Sequence, residues 1–194
     1  PTILVLGYFD GLHRGHQTLF DKARDLAAEK NASISVLTFP ESPVLVFKKF
    51  NKDLFKHLTS PDKRLALFEE MGVDFLYLTD FTSHFAKLTS HDFIQKYVSH
   101  LTIAAIVVGF DYQFGSDHGD IGQFSDYESY QIAQVSDAGE KISSTRIRQA
   151  ILDGDVSLAN QLLGYDYEVS GIVVHGEARG RTIGYPTANI ESKH

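Results

Sequence analysis

The feature that most constrains this chain is its opening. A short apolar run, Thr2-Ile3-Leu4-Val5-Leu6, passes through a Gly-rich turn into a stretch with helical spacing. A continuous apolar run suits a strand buried on both faces, the habit of parallel sheets. Leu19, Ala23, Leu26 and Ala27 then recur at helical intervals and predict a helix from about Gly15 to Lys30. The alternation repeats along the chain. Ile34 to Phe39 reads as a second strand, broken by Pro40 and Pro43. Ser60-Pro61 starts a helix that ends near Met71-Gly72, since Ser can cap and Pro at the first helical position gives up no needed N–H. Phe75 to Leu78 and Ala104 to Gly109 read as further strands, with a helix from a Ser90 cap through Val98 between them. This order predicts an α/β fold, a parallel sheet with helices on both faces.

Beyond Gly109 the pattern loosens. Residues 110–130 are rich in Gly, Asp, Ser and aromatics, and read as a loop carrying function rather than core. A strand at Tyr130 to Val135 and two short helices, Thr145 to Leu152 and Val156 to Leu163, complete this part. From Gly164 the character shifts to a strand, Tyr167 to Val174, and a Gly- and Arg-rich loop, His175 to Asn189, which places a domain boundary near Gly164. The 194 residues allow one α/β domain, here 1–163, with a remainder, 164–194. The chain has no Cys, which excludes disulfide scaffolds, Cys-ligated zinc and thiol catalysis. No apolar run approaches the roughly 20 residues of a membrane span, no leader pattern opens the sequence, and a reducing cytoplasm is the expected setting. A start at Pro1 without Met is what a piece of a longer protein would show. The net charge of −7 disfavours nucleic-acid backbone binding, so an anionic partner must be met by local donors.

Three strings supply such donors. Gly7-Tyr8-Phe9-Asp10-Gly11-Leu12-His13-Arg14-Gly15-His16 joins the first strand to its helix. A turn there aims backbone N–H groups and the positive helix end at one point, and glycines let a phosphate approach closely. His13 and His16, three residues apart at the helix start, can both face that point as donors. One His beside a turn would be an ordinary surface residue; the whole string is not. Neither the dinucleotide fingerprint nor a P-loop occurs. Lys141-Ile142-Ser143-Ser144-Thr145-Arg146-Ile147-Arg148 combines capping hydroxyls with guanidinium forks in an acidic chain. Arg146 and Arg148 point to different faces, so one of them is expected to share a ligand with the hydroxyls. Val107 to Gly115, leaving a strand end, holds Gly109, Asp111, Tyr112 and Phe114. Asp111 could orient a substrate or hold Mg²⁺, and the aromatics could line a ring or simply anchor a loop.

Together these strings resemble the FMN adenylyltransferase (FAD synthetase) module of bacterial bifunctional riboflavin kinase/FMN adenylyltransferase proteins. The family's H-x-G-H stands as His13-Arg14-Gly15-His16, and its I-S-S-T-x-I-R as Ile142-Ser143-Ser144-Thr145-Arg146-Ile147-Arg148. The string Gly171 to Asn189 looks like the opening of the family's riboflavin kinase barrel, where Thr187 and Asn189 match positions that bind Mg²⁺ and nucleotide. The chain stops five residues after Asn189, so no kinase activity is expected of it. Two departures stand out. Thr38-Phe39-Pro40-Glu41-Ser42-Pro43 has Ser42 where the family commonly has His, and Gln113 and Ser116 to His118 replace frequent basic residues.

The resemblance implies a Rossmann-like nucleotidyltransferase fold followed by the incomplete start of a β-barrel. It implies transfer of AMP from ATP to FMN, giving FAD and pyrophosphate, with Mg²⁺. His13, His16 and Arg148 would act on the phosphates, alongside Ser143, Ser144, Thr145 and Gly15. Gly7, Phe9, Asp10 and Gly11 would shape the adenosine side, and Gly109, Asp111 and Phe114 the metal or flavin side. The alternatives are a related nucleotidyltransferase acting on nicotinate mononucleotide or phosphopantetheine, and a flavin- or nucleotide-binding module without turnover.

Overall fold

Every residue of the first strand, β1 (Thr2–Leu6), is buried, and it pairs in parallel on both sides. The computed structural model describes residues 1–41 and 57–192. On one side of β1 lie β2 (Ser33–Thr38) and β3 (Phe75–Leu78); on the other lie β4 (Ile103–Gly109) and β5 (Ser129–Ile132). The order β3-β2-β1-β4-β5 is parallel throughout. The chain thus moves outward from β1 to β3 and restarts on the opposite side at β4. That reversal opens a crevice beyond the carboxyl ends of β1 and β4.

Alternate residues of β1 face opposite layers, as the period of a strand requires. Ile3 and Val5 pack beneath α1 (Arg14–Lys30) and α2 (Pro61–Glu70), with Phe20, Leu26 and Phe68. Leu4 and Leu6 face the other layer, where α3 (Ser90–Phe93) runs into a π-helical turn, Ile94–Val98. This helical cover is short, and the loop after β4 completes it: Phe114 and Phe124 are buried there, stacked 4.7 Å apart. Residues 110–130 therefore supply core as well as loop, because an apolar sheet face must be covered by something. A third apolar cluster joins Leu58 and Ile142 to α4 (Ser144–Leu152) and α5 (Val156–Leu163).

The predicted elements are present, with shifted ends. Ser60 caps α2 by accepting from the Lys63 N–H at 3.2 Å. The cap of α3 is Thr89 rather than Ser90; the Ser90 hydroxyl and N–H instead hold Asp117, at 2.7 Å each. β5 stops at Ile132, and a small hairpin follows, β6 (Ser136–Asp137) and β7 (Glu140–Lys141). Gly164 closes α5 with a positive φ. Beyond it, β8 (Gly171–Val174) and β9 (Asn189–Ser192) form an antiparallel ladder, joined through a short helix, α6 (Arg179–Thr182). β8 begins four residues later than the sequence suggests, since Tyr167 spends its N–H on the Asn160 side chain at 2.8 Å. Ser42 and Pro43 lie outside the described residues. Among the described residues, no helix is long and apolar enough to cross a membrane.

Candidate active site

The turn between β1 and α1 is built from residues in unusual conformations. Phe9, Gly11 and Leu12 all have positive φ, at +60°, +81° and +37°. A left-handed non-glycine residue costs of order 1 kcal/mol or more, and here burial offsets it. Phe9 is almost fully buried and packs edge-on against Phe68 and beside Phe20. Gly7 has no freedom to be larger, because a Cβ there would lie 2.6 Å from the Phe9 ring. The same ring meets His16 edge-on, with centroids 5.3 Å apart. His13 and His16 themselves stack, centroids 3.7 Å apart and planes within 15°. Both stand at the start of the 17-residue α1, whose first turn carries no acidic residue and no side-chain cap. The Arg14 and Gly15 N–H groups there have no intrahelical acceptor.

A second helix start meets the first. Ser143 caps α4 through its hydroxyl, accepting from the Arg146 N–H at 3.2 Å. The Ser144 hydroxyl donates to the Asp10 carbonyl at 2.8 Å, so the two motifs are joined directly. Both open on one cleft of about 850 Å³, whose walls include Gly7, Phe9, His13, Gly15, His16, Gly109, Asp111, Phe114, Ser143, Ser144 and Thr145. Two helix N-termini and a histidine pair facing one volume supply donors of the kind that can hold an anion.

Burial sets the charge state of the histidines. It pushes His13 down to about 4, and it holds His16 well below the ordinary value, with neighbouring His13 adding to the effect. Both imidazoles are neutral near pH 7 in the folded chain, and each Nδ1 is buried without a hydrogen-bond partner among the described residues. The unfolded chain protonates them near pH 6.5. Below that value the unfolded state binds more protons, so stability is complete above about pH 6.5 and falls as the pH drops toward 4. Acidification from pH 7 to 5 is expected to cost roughly 2 kcal/mol through His13, with His16 acting in the same direction. Urea midpoints across that range measure it, and a His13→Asn/His16→Asn variant should flatten the slope. A wild-type midpoint that stays constant would refute the neutral buried pair.

The other expected residues are distributed as follows. Asp10 and Arg148 pair with each other and line a second cavity, beside α2. Gly11 lines neither; a Cβ there would lie 2.8 Å from Leu58. Arg146 turns away from the cleft to the small hairpin, donating to the Asp137 and Glu140 carbonyls at 3.2 Å each. Thr187 and Asn189 stand on the exposed β8–β9 unit and are not among the residues lining the cleft. Asp111, at the mouth, accepts from Lys141 Nζ at 2.8 Å. No group of three or more His, Asp or Glu converges on a metal position among the described residues.

Two further contributors line the cleft without having been assigned a role from sequence. Lys141 is the one Lys or Arg side chain among the described lining residues. Its place directly before Ile-Ser-Ser-Thr was a usable signal. Phe39, Phe81 and Phe85 form an aromatic wall, with centroids 4.9 to 5.4 Å apart. Phe81 lies in irregular chain after β3 and Phe85 opens a three-residue 3-10 turn, too short for any periodicity to mark them.

The family model for FAD synthetase matches residues 1–146, and that for riboflavin kinase matches residues 163–194. Proteins named bifunctional riboflavin kinase/FMN adenylyltransferase are similar along 97% of the chain, at 39% identity in Listeria monocytogenes and in Bacillus subtilis. The chain spans 62% and 61% of the length of those two relatives. A crystal structure from Streptococcus pneumoniae, named a macrolide-efflux protein, superposes on all of the chain and 64% of its own, with 47% identity and a TM-score of 0.95. The chain belongs to the FAD synthetase family.

Proposed function

We propose that this chain transfers the adenylyl group of ATP to FMN, giving FAD and pyrophosphate. The observation that carries the reading is the meeting of two helix N-termini and a stacked histidine pair in a cleft with an aromatic wall. The FMN phosphate would attack the ATP α-phosphorus in line. Such a reaction is mostly positioning and charge stabilisation. His13 and His16 donate to the phosphates as charge develops, and their low basicity at rest lets the arriving polyanion decide when they charge. Ser144 and Thr145 hold the departing phosphates at the start of α4, with Ser143 fixing that start. Arg148 joins them by exchanging its bond to Asp10 for a phosphate. Gly7, Phe9, Asp10, Gly11 and Gly15 shape the nucleotide side of the turn.

Asp111 offers one carboxylate at the mouth, which suits an ion carried in on nucleotide phosphates rather than a cage of protein ligands. Mg²⁺ held there would neutralise charge on the pyrophosphate leaving group. Gly109 and Phe114 belong to the flavin side, with the Phe39, Phe81 and Phe85 wall facing the same cleft. We take 1–163 as the transferase domain and 164–194 as the first part of a riboflavin kinase barrel. The exposed Val173 and Ile190 side chains of the β8–β9 ladder fit the start of a larger β unit.

Incubation of the chain with Mg²⁺, ATP and FMN is expected to yield FAD and pyrophosphate in equal amounts. Nicotinate mononucleotide and phosphopantetheine should not replace FMN. Binding of FMN and ATP without product would establish a non-catalytic module instead.

A further inference from the structure

Arg64 lies on α2, outside every motif, yet only 9% of its surface is exposed. Its hydrogen-bond partners are all neutral among the described residues. One guanidinium nitrogen donates to the Tyr8 carbonyl and, at 2.7 Å, to the Thr38 hydroxyl; another donates to the Phe39 carbonyl at 2.8 Å. The Thr38 hydroxyl in turn donates to the same Tyr8 carbonyl at 3.0 Å. The guanidinium rests 4.9 Å from the Tyr8 ring centroid and 5.7 Å from that of Phe68. Its Nε is buried with no hydrogen-bond partner among the described residues. Burial disfavours its charge while the Asp10 and Glu41 carboxylates favour it, and a buried guanidinium hydrogen-bonded only to neutral groups is costly where an apolar side chain would fill the place at less expense.

Its location shows what that cost maintains. The β1–β2 ladder ends at the Leu6–Leu37 pair, and the two chains then part. Arg64 bridges them just past that point, at Tyr8 and at Thr38-Phe39. The peptide it grips leads straight into Phe9, whose left-handed backbone and buried ring set the edge against His16. We propose that Arg64 is a positioning residue for adenylyl transfer: its fork staples the ends of β1 and β2 and thereby seats Phe9 and His16. This rests on the function proposed above. The charge matters as well as the fork. His16 is faced by His13 from the turn, Arg64 from α2 and Lys141 from β7, and all three oppose its protonation.

The test compares Arg64→Lys, which keeps the charge and loses the fork, with Arg64→Met, which keeps neither. Thermal unfolding confirms that each variant is folded. The turnover number for FAD is expected to fall about tenfold or more in Arg64→Met and less in Arg64→Lys, with the KM for FMN within about twofold. By NMR, the His16 imidazole should titrate at higher pH in Arg64→Met and stay low in Arg64→Lys. A folded Arg64→Met with wild-type turnover and an unmoved His16 titration overturns the proposal. So does a loss of turnover that merely tracks lost stability while His16 titrates as before. The NMR readout needs no catalysis. A wild-type chain that makes no FAD would therefore sink the proposed activity and leave the His16 result to judge Arg64 by itself.

Discussion

Replacing His16 with Ala is expected to lower FAD formation by about a hundred- to a thousandfold, the usual cost of removing one preorganised donor to developing charge. FMN affinity should change far less, within a few-fold. The physical reason is the division of the cleft. His16 stands with His13 at the α1 start, where phosphate charge would gather, while Phe39, Phe81, Phe85 and Phe114 line other parts of the wall. Losing an imidazole at one end leaves the aromatic surface intact. The edge-on contact with Phe9 is also lost, so thermal unfolding must accompany the kinetics. His16→Asn retains a donor of similar size and should recover part of the rate. Turnover numbers and FMN fluorescence quenching give the two quantities. Unchanged turnover in a folded His16→Ala would sink the assignment.

The second large effect is expected at Asp10, and it is one of stability first. Asp10 is 4% exposed. One carboxylate oxygen accepts the Leu58 N–H at 2.9 Å, and the other takes the Arg148 guanidinium. Its carbonyl accepts the Ser144 hydroxyl. Asp10→Ala would orphan a buried N–H and remove one carboxylate from the partly exposed Arg148 guanidinium. The orphaned N–H costs about 1–3 kcal/mol, and the lost ion pair adds to it by less than a fully buried pair would. The melting temperature should fall by about 10 °C for a chain of this size. Asp10→Asn keeps an acceptor for Leu58 and should lose less. Because Asp10 bridges the β1 turn and α4, the KM for ATP is expected to rise in any variant that remains folded. A stability within about 0.5 kcal/mol of wild type, the range of ordinary surface substitutions, would show that the bridge carries little.

Both predictions turn on residues that the sequence marks, and the reason is local. The Gly7 to His16 string announces itself because its geometry is set within ten residues: strand end, left-handed turn, helix start. The helices and strands were legible for a similar reason, since hydrophobic period and Ser, Pro and Gly punctuation act over short spans. Thr89 displaced Ser90 as a cap because the Asp117 carboxylate, distant in sequence, accepts from both the Ser90 N–H and its hydroxyl. The aromatic loop after β4 joined the core because α3 is too short to cover Leu4 and Leu6 alone. Neither outcome is encoded in the neighbouring residues.

By itself, then, the sequence determined the parallel α/β class and the places of the two helix starts that carry the histidine and Ser-Ser-Thr strings. Local propensity and spacing are sufficient for those. Only the tertiary structure decided that the two starts open on one cleft and that His13 and His16 stack. It also decided that Arg148 turns to Asp10 and Arg146 to the hairpin, and that Arg64 and Lys141 belong beside the site. These depend on contacts between residues far apart in the chain. Such contacts are chosen by which faces the sheet and helices bury, and by where buried polar groups find partners once that packing is complete.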